Sequence, residues 1–360
     1  MLYFLLFVFV SYFFIFSVFI VYWLINPETK LTNQDIEAIS IVIPFKNEQN
    51  NLPDFFQSII NQQVSKAKYE LIFVDDNSDD DSYNLVKTFI KNLPNAYLIK
   101  NLGEGKKQAV ITGVSFAHYD WILQTDADCM PNPFWIETVY TKTTNAADLW
   151  ILPVLISQNR KTLFSVFEKL EFISLQASSA AAALCGCPLM ANAANLLYKK
   201  NLLLNNIEDY RLSIPSGDDV FLLHIAKRKA KVDYLKNVNA LVYTKPNHNI
   251  KDFVKQRLRW GAKAKYYRDT FTIILTILVY LTNLLTPVLF FLFLFAFYPL
   301  ITGLLFFAKF LVDFILLFSF ALYFSEHKLM KNYVIVWILY PFYIILVGTL
   351  SIFTNVNWKK

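Results

Sequence analysis

Residues 121–131 read WILQTDADCMP, an apolar run that ends in two carboxylates one residue apart. The run WILQ has the length and composition of a buried strand, and Pro131 closes the segment. Asp126 and Asp128 therefore follow directly on a strand end. Two carboxylates on one tight turn repel each other unless a cation or a hydrogen-bond donor lies near both. The stretch predicts a strand whose carboxyl end carries a cation site.

The segments before it repeat an alternation of strand and helix. The apolar runs are SIVIPF, YELIFVDD and AYLIK, and helical patterns separate them. This alternation predicts an α/β fold with a mostly parallel sheet and right-handed crossovers. Ligands of such sheets bind beyond the carboxyl ends of the strands. We therefore expect the strand ends at Lys46–Glu48 and Asp75–Asp76 to lie at the same edge as the two carboxylates.

Two further acidic groups have competing interpretations. Asp79 to Asp81 are interpreted as caps of the helix that starts near Ser82. Asp218 and Asp219 precede the apolar helical pattern VFLLHIAKR. One of these two carboxylates suits a helix cap, and the other can serve as a general base toward an attacking hydroxyl.

The composition indicates a membrane protein. The chain has 360 residues, of which 55% are hydrophobic, and this excludes an ordinary soluble enzyme. Residues 1–25 form an apolar run without a cleavage site, which predicts an uncleaved transmembrane anchor. Three more runs, near 272–296, 300–324 and 332–353, have the length of membrane spans. Lys and Arg are concentrated in residues 30–270, which places this part on the cytoplasmic side.

The last motif before the C-terminal spans is QRLRW, residues 256–260, in a basic amphipathic stretch. Alone, this stretch favours a helix at the membrane surface, with its basic residues at the lipid headgroups. An arginine there can also bind a pyrophosphate with its bidentate fork. We predict four segments: a transmembrane anchor at 1–25, a cytoplasmic α/β domain at 30–235, an interfacial segment at 236–270 and transmembrane helices at 271–360.

Six motifs occur in the order and rough spacing of a known family: IPFKNE, VDDNSDDD, a loop with Gly105 and Lys106, TDAD, GDD and QRLRW. Over about residues 38–265 the chain resembles the membrane-bound family 2 glycosyltransferases. The resemblance implies a GT-A nucleotide-sugar-binding domain at 30–235. It also implies an inverting, metal-dependent hexosyltransferase that uses a nucleotide-diphosphate sugar, most often a UDP-sugar in this family.

The resemblance also implies a role for each matching residue. The residues that match the donor-binding positions of the family are Pro44, Glu48, Asp75, Asp76, Lys106, Asp126 and Asp128. In this set Pro44, Glu48 and Asp76 hold the base with support from Asp75, Asp126 binds the ribose, and Asp128, with Asp126, holds Mg²⁺ or Mn²⁺. Asp219 matches the general base and Asp218 is the carboxylate beside it, while Gln256, Arg259 and Trp260 match the motif at the diphosphate and the acceptor. Many relatives carry a glutamate in the place of Asp218, so the reach of this shorter side chain is open.

The expected acceptor is a membrane lipid or a lipid-linked glycan, as for ceramide-glucosylating enzymes, and no nucleic acid is expected as a partner. The expected location is the cell membrane of a bacterium, or the inner membrane if the bacterium also has an outer membrane.

A processive polysaccharide synthase is an alternative, disfavoured by the small membrane part. A catalytically silent scaffold is another, disfavoured because Asp128, Asp219 and Arg259 are all present. A transporter is disfavoured because Lys309 and Asp313, spaced i,i+4 in the third span, can simply pair. The sugar, the acceptor, the choice of metal and the oligomeric state stay open.

Overall fold

The computed structural model describes residues 2–29, 36–65, 67–144, 146–157, 162–214 and 216–354. Its strands are β1 (Ile39–Phe45), β2 (Tyr69–Asp75), β3 (Ala96–Lys100), β4 (Trp121–Gln124), β5 (Cys129–Pro131), β6 (Leu149–Ile151), β7 (Val154–Ile156), β8 (Leu196–Lys199), β9 (Val232–Tyr234) and β10 (Val242–Thr244). Its α-helices are α1 (Leu2–Ile25), α2 (Leu52–Ile60), α3 (Ser82–Phe89), α4 (Lys106–Phe116), α5 (Trp135–Lys142), α6 (Leu163–Leu184), α7 (Lys200–Leu204), α8 (Asp218–Lys229), α9 (Ile250–Ala262), α10 (Thr270–Leu294), α11 (Pro299–Tyr323) and α12 (Tyr333–Phe353).

The chain divides into two compact units. The sheet unit consists of the described parts of 27–157 and 190–245. The helical unit consists of the described parts of 1–26, 158–189 and 246–356. The helical unit therefore collects three separate stretches of the chain.

The sheet unit contains a seven-stranded sheet in the order β3-β2-β1-β4-β8-β6-β9. Strands β3, β2, β1 and β4 are parallel, whereas β8 is antiparallel to both of its neighbours. Every residue of β1 and β4 is buried, as expected for strands covered on both faces. A small second sheet has the order β5-β10-β7. The prediction of a mostly parallel α/β sheet is confirmed.

Helix α4 lies unusually close to this sheet. A Cβ atom added at Gly113 would come within 2.6 Å of Val42 Cγ1 and 2.9 Å of Val74 Cγ2, so the helix can approach only because the residue is glycine. The helix begins at Lys106, after the carboxyl end of β3. The close packing of α4 on β1 and β2 therefore fixes the backbone position of its first residue, Lys106.

The helical unit contains four helices long and apolar enough to cross a membrane, namely α1, α10, α11 and the helical stretch that ends in α12. This confirms the predicted spans, with boundaries shifted by a few residues. Within α11, Lys309 Nζ lies 2.6 Å from Asp313 Oδ2, as the spacing of the two residues predicted. Asp313 also accepts hydrogen bonds from the hydroxyl of Tyr12 at 2.7 Å and the indole nitrogen of Trp337 at 2.9 Å. Both charges in the span are therefore paired, and the carboxylate joins α1, α11 and α12.

Helix α6 also belongs to the helical unit, although the sequence prediction placed its residues inside the domain at 30–235. The Thr162 side chain caps its first turn by accepting a hydrogen bond from Ser165 N at 3.2 Å. Glu168 and Glu171, on the buried face of this helix, are 1% and 2% exposed. Two buried carboxylates need partners. Glu168 Oε1 accepts from Asn247 N at 2.9 Å and Asn247 Nδ2 at 2.7 Å, and Glu171 pairs with Arg257 of α9.

Candidate active site

The sheet order places a crevice at the carboxyl ends of β1 and β4. The chain runs outward from β1 through β2 to β3 and then returns to β4 on the other side of β1, which makes this point the topological switch of the sheet. Phe45 at the end of β1 pairs with Asp75 at the end of β2, and Thr125 N, just past β4, donates to Val42 O at 3.2 Å. Ligands of doubly wound sheets bind at such a point. The predicted strand-end residues therefore meet at one edge.

At the carboxyl end of β2, two carboxylates accept hydrogen bonds from the neighbouring loops. Asp75 and Asp76 are 4% and 3% exposed. The carboxylate of Asp76 accepts hydrogen bonds from Asn101 Nδ2 at 2.6 Å and from Gly105 N at 2.9 Å. Asp75 Oδ1 accepts one from Ser78 N at 3.1 Å. Asp76 therefore holds the loop that leads into α4, and its predicted role toward a nucleoside stays a prediction.

The first strand end is tied to the loop after β2. Pro44 is buried within β1, whereas Glu48 is half-buried and accepts a hydrogen bond from Asn51 Nδ2 at 2.5 Å. Hydrogen bonds between the two loops run from Asn47 N to Ser78 Oγ (3.1 Å), Asp79 N to Asn47 Oδ1 (2.8 Å), Glu48 N to Ser82 Oγ (2.8 Å), Gln49 N to Asp80 Oδ2 (3.2 Å) and Asp81 N to Gln49 Oε1 (3.2 Å). The capping interpretation holds only for Asp80, whose Oδ1 accepts from Ser82 N at 3.0 Å. It is wrong for Asp81, which occupies the cap position without a side-chain cap bond.

Three of the predicted site residues form one ionic group at the edge of the sheet. Lys106 Nζ lies 2.7 Å from Asp126 Oδ1 and 3.2 Å from Asp218 Oδ2. The side chains of Lys106 and Asp218 are 13% and 7% exposed, and that of Asp126 is 28% exposed. Helix α4, the end of β4 and the start of α8 thus converge on one ammonium group. We call Lys106, Asp126 and Asp218 the Lys106 triad.

A chain of buried hydrogen bonds extends from the triad into the sheet. Gln124 Nε2 donates to Asp218 Oδ2 at 2.9 Å, and the hydroxyl of Tyr198 donates to Gln124 Oε1 at 3.0 Å. Gln124 is 1% exposed and Tyr198 is fully buried. Because both groups are buried, their polar atoms need partners, and each provides one for the other. These two hydrogen bonds hold the Asp218 carboxylate in place from the side of the sheet.

The triad is surrounded by excess negative charge. Burial raises the pKa of Asp126 to about 6, with Asp128 and Asp218 adding to the effect and Lys106 opposing it. Burial alone would lower the pKa of Lys106, but the carboxylates of Asp126 and Asp218 outweigh it and raise this pKa above its usual range. The ammonium group is therefore charged at every working pH.

Asp128 and Asp219 lie beside the triad residues in the chain and are both half-buried. Cys129 N donates to Asp126 O at 3.1 Å across the turn that holds Asp128. Asp219 lies in the first turn of α8, where its Oδ1 accepts from Val220 N at 2.7 Å. Gly217, with φ of 88°, begins the helix without a side-chain cap bond, so the capping interpretation of the acidic pair does not describe this helix start. The positive end of the helix attracts negative charge to this first turn.

Lys107 is a buried charge that the sequence prediction did not single out. Its Nζ donates to the backbone oxygens of Tyr210 at 3.1 Å and Arg211 at 2.9 Å, and it lies 4.2 Å from the ring centre of Phe221. These contacts tie the start of α4 to the segment that leads to Asp218. The sequence signal was weak, since a lysine pair at a helix start usually indicates a solvated end.

The QRLRW motif lies on α9 of the helical unit. Arg257 is the buried arginine of the motif: its Nε and Nη2 lie 2.9 and 2.6 Å from the carboxylate oxygens of Glu171 on α6. The role of Arg259 at a diphosphate stays a prediction. Gln256 Oε1 accepts from Asn247 Nδ2 at 2.9 Å and from Arg257 Nη1. The Arg257 guanidinium also lies 4.3 Å from the ring centre of Trp260. Two of the three predicted motif residues thus contact Arg257, while Arg259 is half-buried.

Comparison with known proteins finds a family model that matches part of the chain. Residues 40–173 match the family model described as Glycosyl transferase family 2. The chain carries a glycosyl transferase family 2 domain. The resemblance drawn from the motifs is therefore confirmed, and the matched segment contains Pro44, Glu48, Asp75, Asp76, Lys106, Asp126 and Asp128.

Two curated relatives of this family 2 domain are named as undecaprenyl-phosphate sugar transferases. The chain is 32% identical over 120 residues to an undecaprenyl-phosphate 4-deoxy-4-formamido-L-arabinose transferase of Shewanella sediminis (strain HAW-EB3), a match that covers 32% of this chain and 36% of that protein. A protein of the same name from Yersinia pestis (strain Pestoides F) is 36% identical over 109 residues, covering 28% and 32% of the two chains. The chain thus spans about a third of the length of these relatives.

Among solved structures, the mannosyltransferase PcManGT of Pyrobaculum calidifontis, in complex with GDP-Man and Mn²⁺, is similar with a TM-score of 0.55 and 14% identity. The similarity covers 96% of this chain and 95% of that one. At this level of identity it establishes the fold alone. Together with the family match, it confirms the GT-A fold predicted for the family 2 domain.

The family 2 domain has a donor set that suits a divalent ion. Asp126 and Asp128 supply hard carboxylate oxygens on one turn. Within the part of the chain that the structure describes, no three His, Cys, Asp or Glu side chains form a cluster able to hold a metal. Mg²⁺ and Mn²⁺ commonly bind one or two protein carboxylates and complete their shells with water and substrate phosphates. The two carboxylates therefore fit such an ion, and the triad geometry shows that a cation is already favoured beside Asp126.

Proposed function

We propose that the protein is an inverting, metal-dependent glycosyltransferase that moves a sugar from a nucleotide-diphosphate sugar, a UDP-sugar above all, to a lipid acceptor in the membrane. The observation that carries the proposal is the Lys106 triad. It gathers two carboxylates and one ammonium group at the switch point of a family 2 domain, the place where a charged diphosphate would bind. The four membrane-length helices support an acceptor that resides in the bilayer.

In the proposed reaction, the acceptor oxygen attacks the anomeric carbon on the face opposite the diphosphate. The new bond joins this carbon to the acceptor oxygen, and the bond from the carbon to the diphosphate oxygen breaks with its electron pair on the leaving group. Asp219 would accept the proton of a hydroxyl acceptor, since it is half-buried and follows Asp218 of the triad in the first turn of α8. A bound divalent ion, held by Asp128 and Asp126, would stabilise charge on the diphosphate.

The roles of the remaining residues follow the family resemblance. Pro44, Glu48, Asp75 and Asp76 are proposed to form the nucleoside end of the donor site, and Gln256, Arg259 and Trp260 the diphosphate and acceptor contacts. Asp218 is proposed to hold Lys106 rather than to act on the acceptor, because its carboxylate already receives Lys106 and Gln124. The catalytic domain is proposed to face the cytoplasm, where nucleotide sugars occur, in agreement with the placement of Lys and Arg.

The nature of the acceptor oxygen decides what Asp219 must do. A lipid hydroxyl is protonated at neutral pH and needs a base, whereas a lipid phosphate, the acceptor class in the names of the curated relatives, has its second pKa near 6 and is already largely ionised. Replacement of Asp219 by Asn should therefore reduce transfer to a hydroxyl by about 10²-fold or more. The same replacement should have a much smaller effect on transfer to a lipid phosphate.

The test measures release of nucleoside diphosphate by the detergent-purified full chain from a panel of nucleotide sugars, with Mn²⁺ or Mg²⁺. Neutral lipids with a free hydroxyl and polyprenyl phosphate are supplied as separate acceptors, beside the Asp219→Asn and Asp128→Asn variants. Lipid-dependent release from one donor, lost in Asp128→Asn, is the expected result. Absence of release from every donor with both acceptor classes would refute the proposed function.

A further inference from the structure

The Lys106 ammonium occupies the position of a cation in the donor site. It lies within 3.2 Å of one oxygen of Asp126 and one of Asp218, and Asp126 is also one of the two carboxylates that suit a divalent ion. Asp128 follows two residues after Asp126 on the same turn, and Asp218 shares the ammonium group with Asp126. A single positive charge thus neutralises part of an acidic group that would otherwise attract a second cation.

The backbone that carries Lys106 is held firmly while its side chain is long. Gly105 N is bonded to Asp76, and Lys107 is bonded to the backbone of Tyr210 and Arg211. Gly113 seats the helix against the sheet. The side chain of Lys106 carries its charge on a flexible four-carbon stem, and an ammonium group is a compact point charge that can exchange one anionic partner for another.

We propose that Lys106 serves as an internal counter-cation, which competes with the divalent ion for the oxygens of Asp126 and keeps metal affinity low until a nucleoside diphosphate arrives. The diphosphate would offer the ammonium group an alternative anion and the metal further oxygen ligands. Metal binding and donor binding would then be coupled, each strengthening the other, as linkage requires. This inference rests on the proposed function for the identity of the anion, but the competition itself concerns only residues of the Lys106 triad and Asp128.

The test is a titration of the detergent-purified full chain with Mn²⁺ in the absence of nucleotide, followed by the electron paramagnetic resonance signal of the free ion. In Lys106→Gln the competing charge is removed, and we expect Mn²⁺ to bind at least about tenfold more tightly than to the unmodified protein. Lys106→Arg keeps the charge and should remain as weak as the unmodified protein. Lys87→Gln, an exposed position on α3, removes the same charge elsewhere and should change nothing. Lys106→Met serves as a second neutral variant if Lys106→Gln is not recovered folded.

Addition of UDP provides the second reading. We expect UDP to tighten Mn²⁺ binding to the unmodified protein and to narrow its difference from Lys106→Gln. Mn²⁺ alone should also raise the thermal midpoint of Lys106→Gln more than that of the unmodified protein.

Equal Mn²⁺ affinities of the unmodified protein and Lys106→Gln without nucleotide would overturn the inference, and so would an absence of Mn²⁺ binding to both at millimolar concentration. Tight binding to Lys106→Arg would overturn it as well, because it would show that shape rather than charge matters. Failure of the proposed function appears separately, as the lack of turnover of any nucleotide sugar, which the nucleotide-free titration does not involve.

Discussion

The ion pair between Arg257 and Glu171 provides a sharp test of how the helical unit is held together. Its side chains are 3% and 2% exposed, and two charge-assisted hydrogen bonds of 2.9 and 2.6 Å join them. Burial alone would lower the pKa of Arg257, but Glu171 outweighs it and raises this pKa, so the arginine is charged. Replacement of Arg257 by Met leaves the Glu171 carboxylate buried without its cation, although the hydroxyl of Tyr343 still donates to it at 2.8 Å.

Breaking one side of such a pair costs about 3–5 kcal/mol, whereas replacing both partners by apolar residues is often close to neutral. At about 2–4 °C per kcal/mol for a unit of this size, Arg257→Met should lower the thermal midpoint by roughly 6–20 °C. Glu171→Leu should have a similar effect, since it leaves the guanidinium buried. The double variant should lose less than either single variant.

The assay is thermal unfolding of the detergent-purified chain followed by circular dichroism, with all four members of the cycle at one detergent concentration. Lys255→Met, an exposed position on the same helix, is the matched control and should leave the midpoint unchanged within about 1 °C. The reasoning is refuted if the double variant loses the sum of the two single effects, because the two groups would then contribute independently.

Three further changes test other contacts. Gly113→Ala should destabilise the protein by about 1–3 kcal/mol, although this change usually stabilises a helix, because the new Cβ would collide with β1; an unchanged or higher midpoint would contradict the packing. In Asp148, burial opposes ionisation, but hydrogen bonds led by that of Lys199 outweigh burial and lower the pKa of the carboxyl group. The ionised carboxylate therefore stabilises the fold above about pH 4, and this stabilisation is lost as the pH falls through the folded pKa. The stability difference between the unmodified protein and Asp148→Asn should therefore be below about 1 kcal/mol at pH 7 and vanish at lower pH, and a difference that grows on acidification would disprove it. Asp313→Leu should lower resistance to unfolding by SDS strongly, since it leaves Lys309 charged inside a span, whereas the variant with both residues changed to Leu should recover part of the loss.

The sequence predicted the elements that local patterns specify. Strands such as β1 and β2 are short apolar runs that end in polar residues, and the structure places them within one residue of the predicted bounds. The four spans were equally clear, because about 20 apolar residues in a row have few alternative uses. The meeting of the strand ends near Glu48, Asp75 and Asp126 at one edge followed from parallel topology, whereas Lys106 was assigned to the donor site by the family resemblance.

The contacts that depend on long-range pairing could not be read from the sequence. Tyr198 reaches Gln124 only because β8 lies antiparallel beside β4, a pairing that joins residues 74 positions apart. Similarly, the motif on α9 contains two arginines, and only the packing of α9 against α6 makes Arg257 the buried one. Adjacent residues of a helix point about 100° apart, so a neighbour in sequence can have a different environment.

The joining of three helices at Asp313 has a consequence for how the chain is made. The Tyr12 hydroxyl and its acceptor are separated by 301 positions, and α1 leaves the ribosome before α11. At a translation rate of about 5–20 residues per second, roughly 15–60 seconds pass between the synthesis of Tyr12 and that of Asp313. During that interval the Tyr12 hydroxyl lacks its acceptor, first in a lone span and then beside α10, and a nascent chain that stalls before α11 would present this hydroxyl to the quality-control machinery of the membrane. Completion of the polar contact thus reports that translation has passed residue 313.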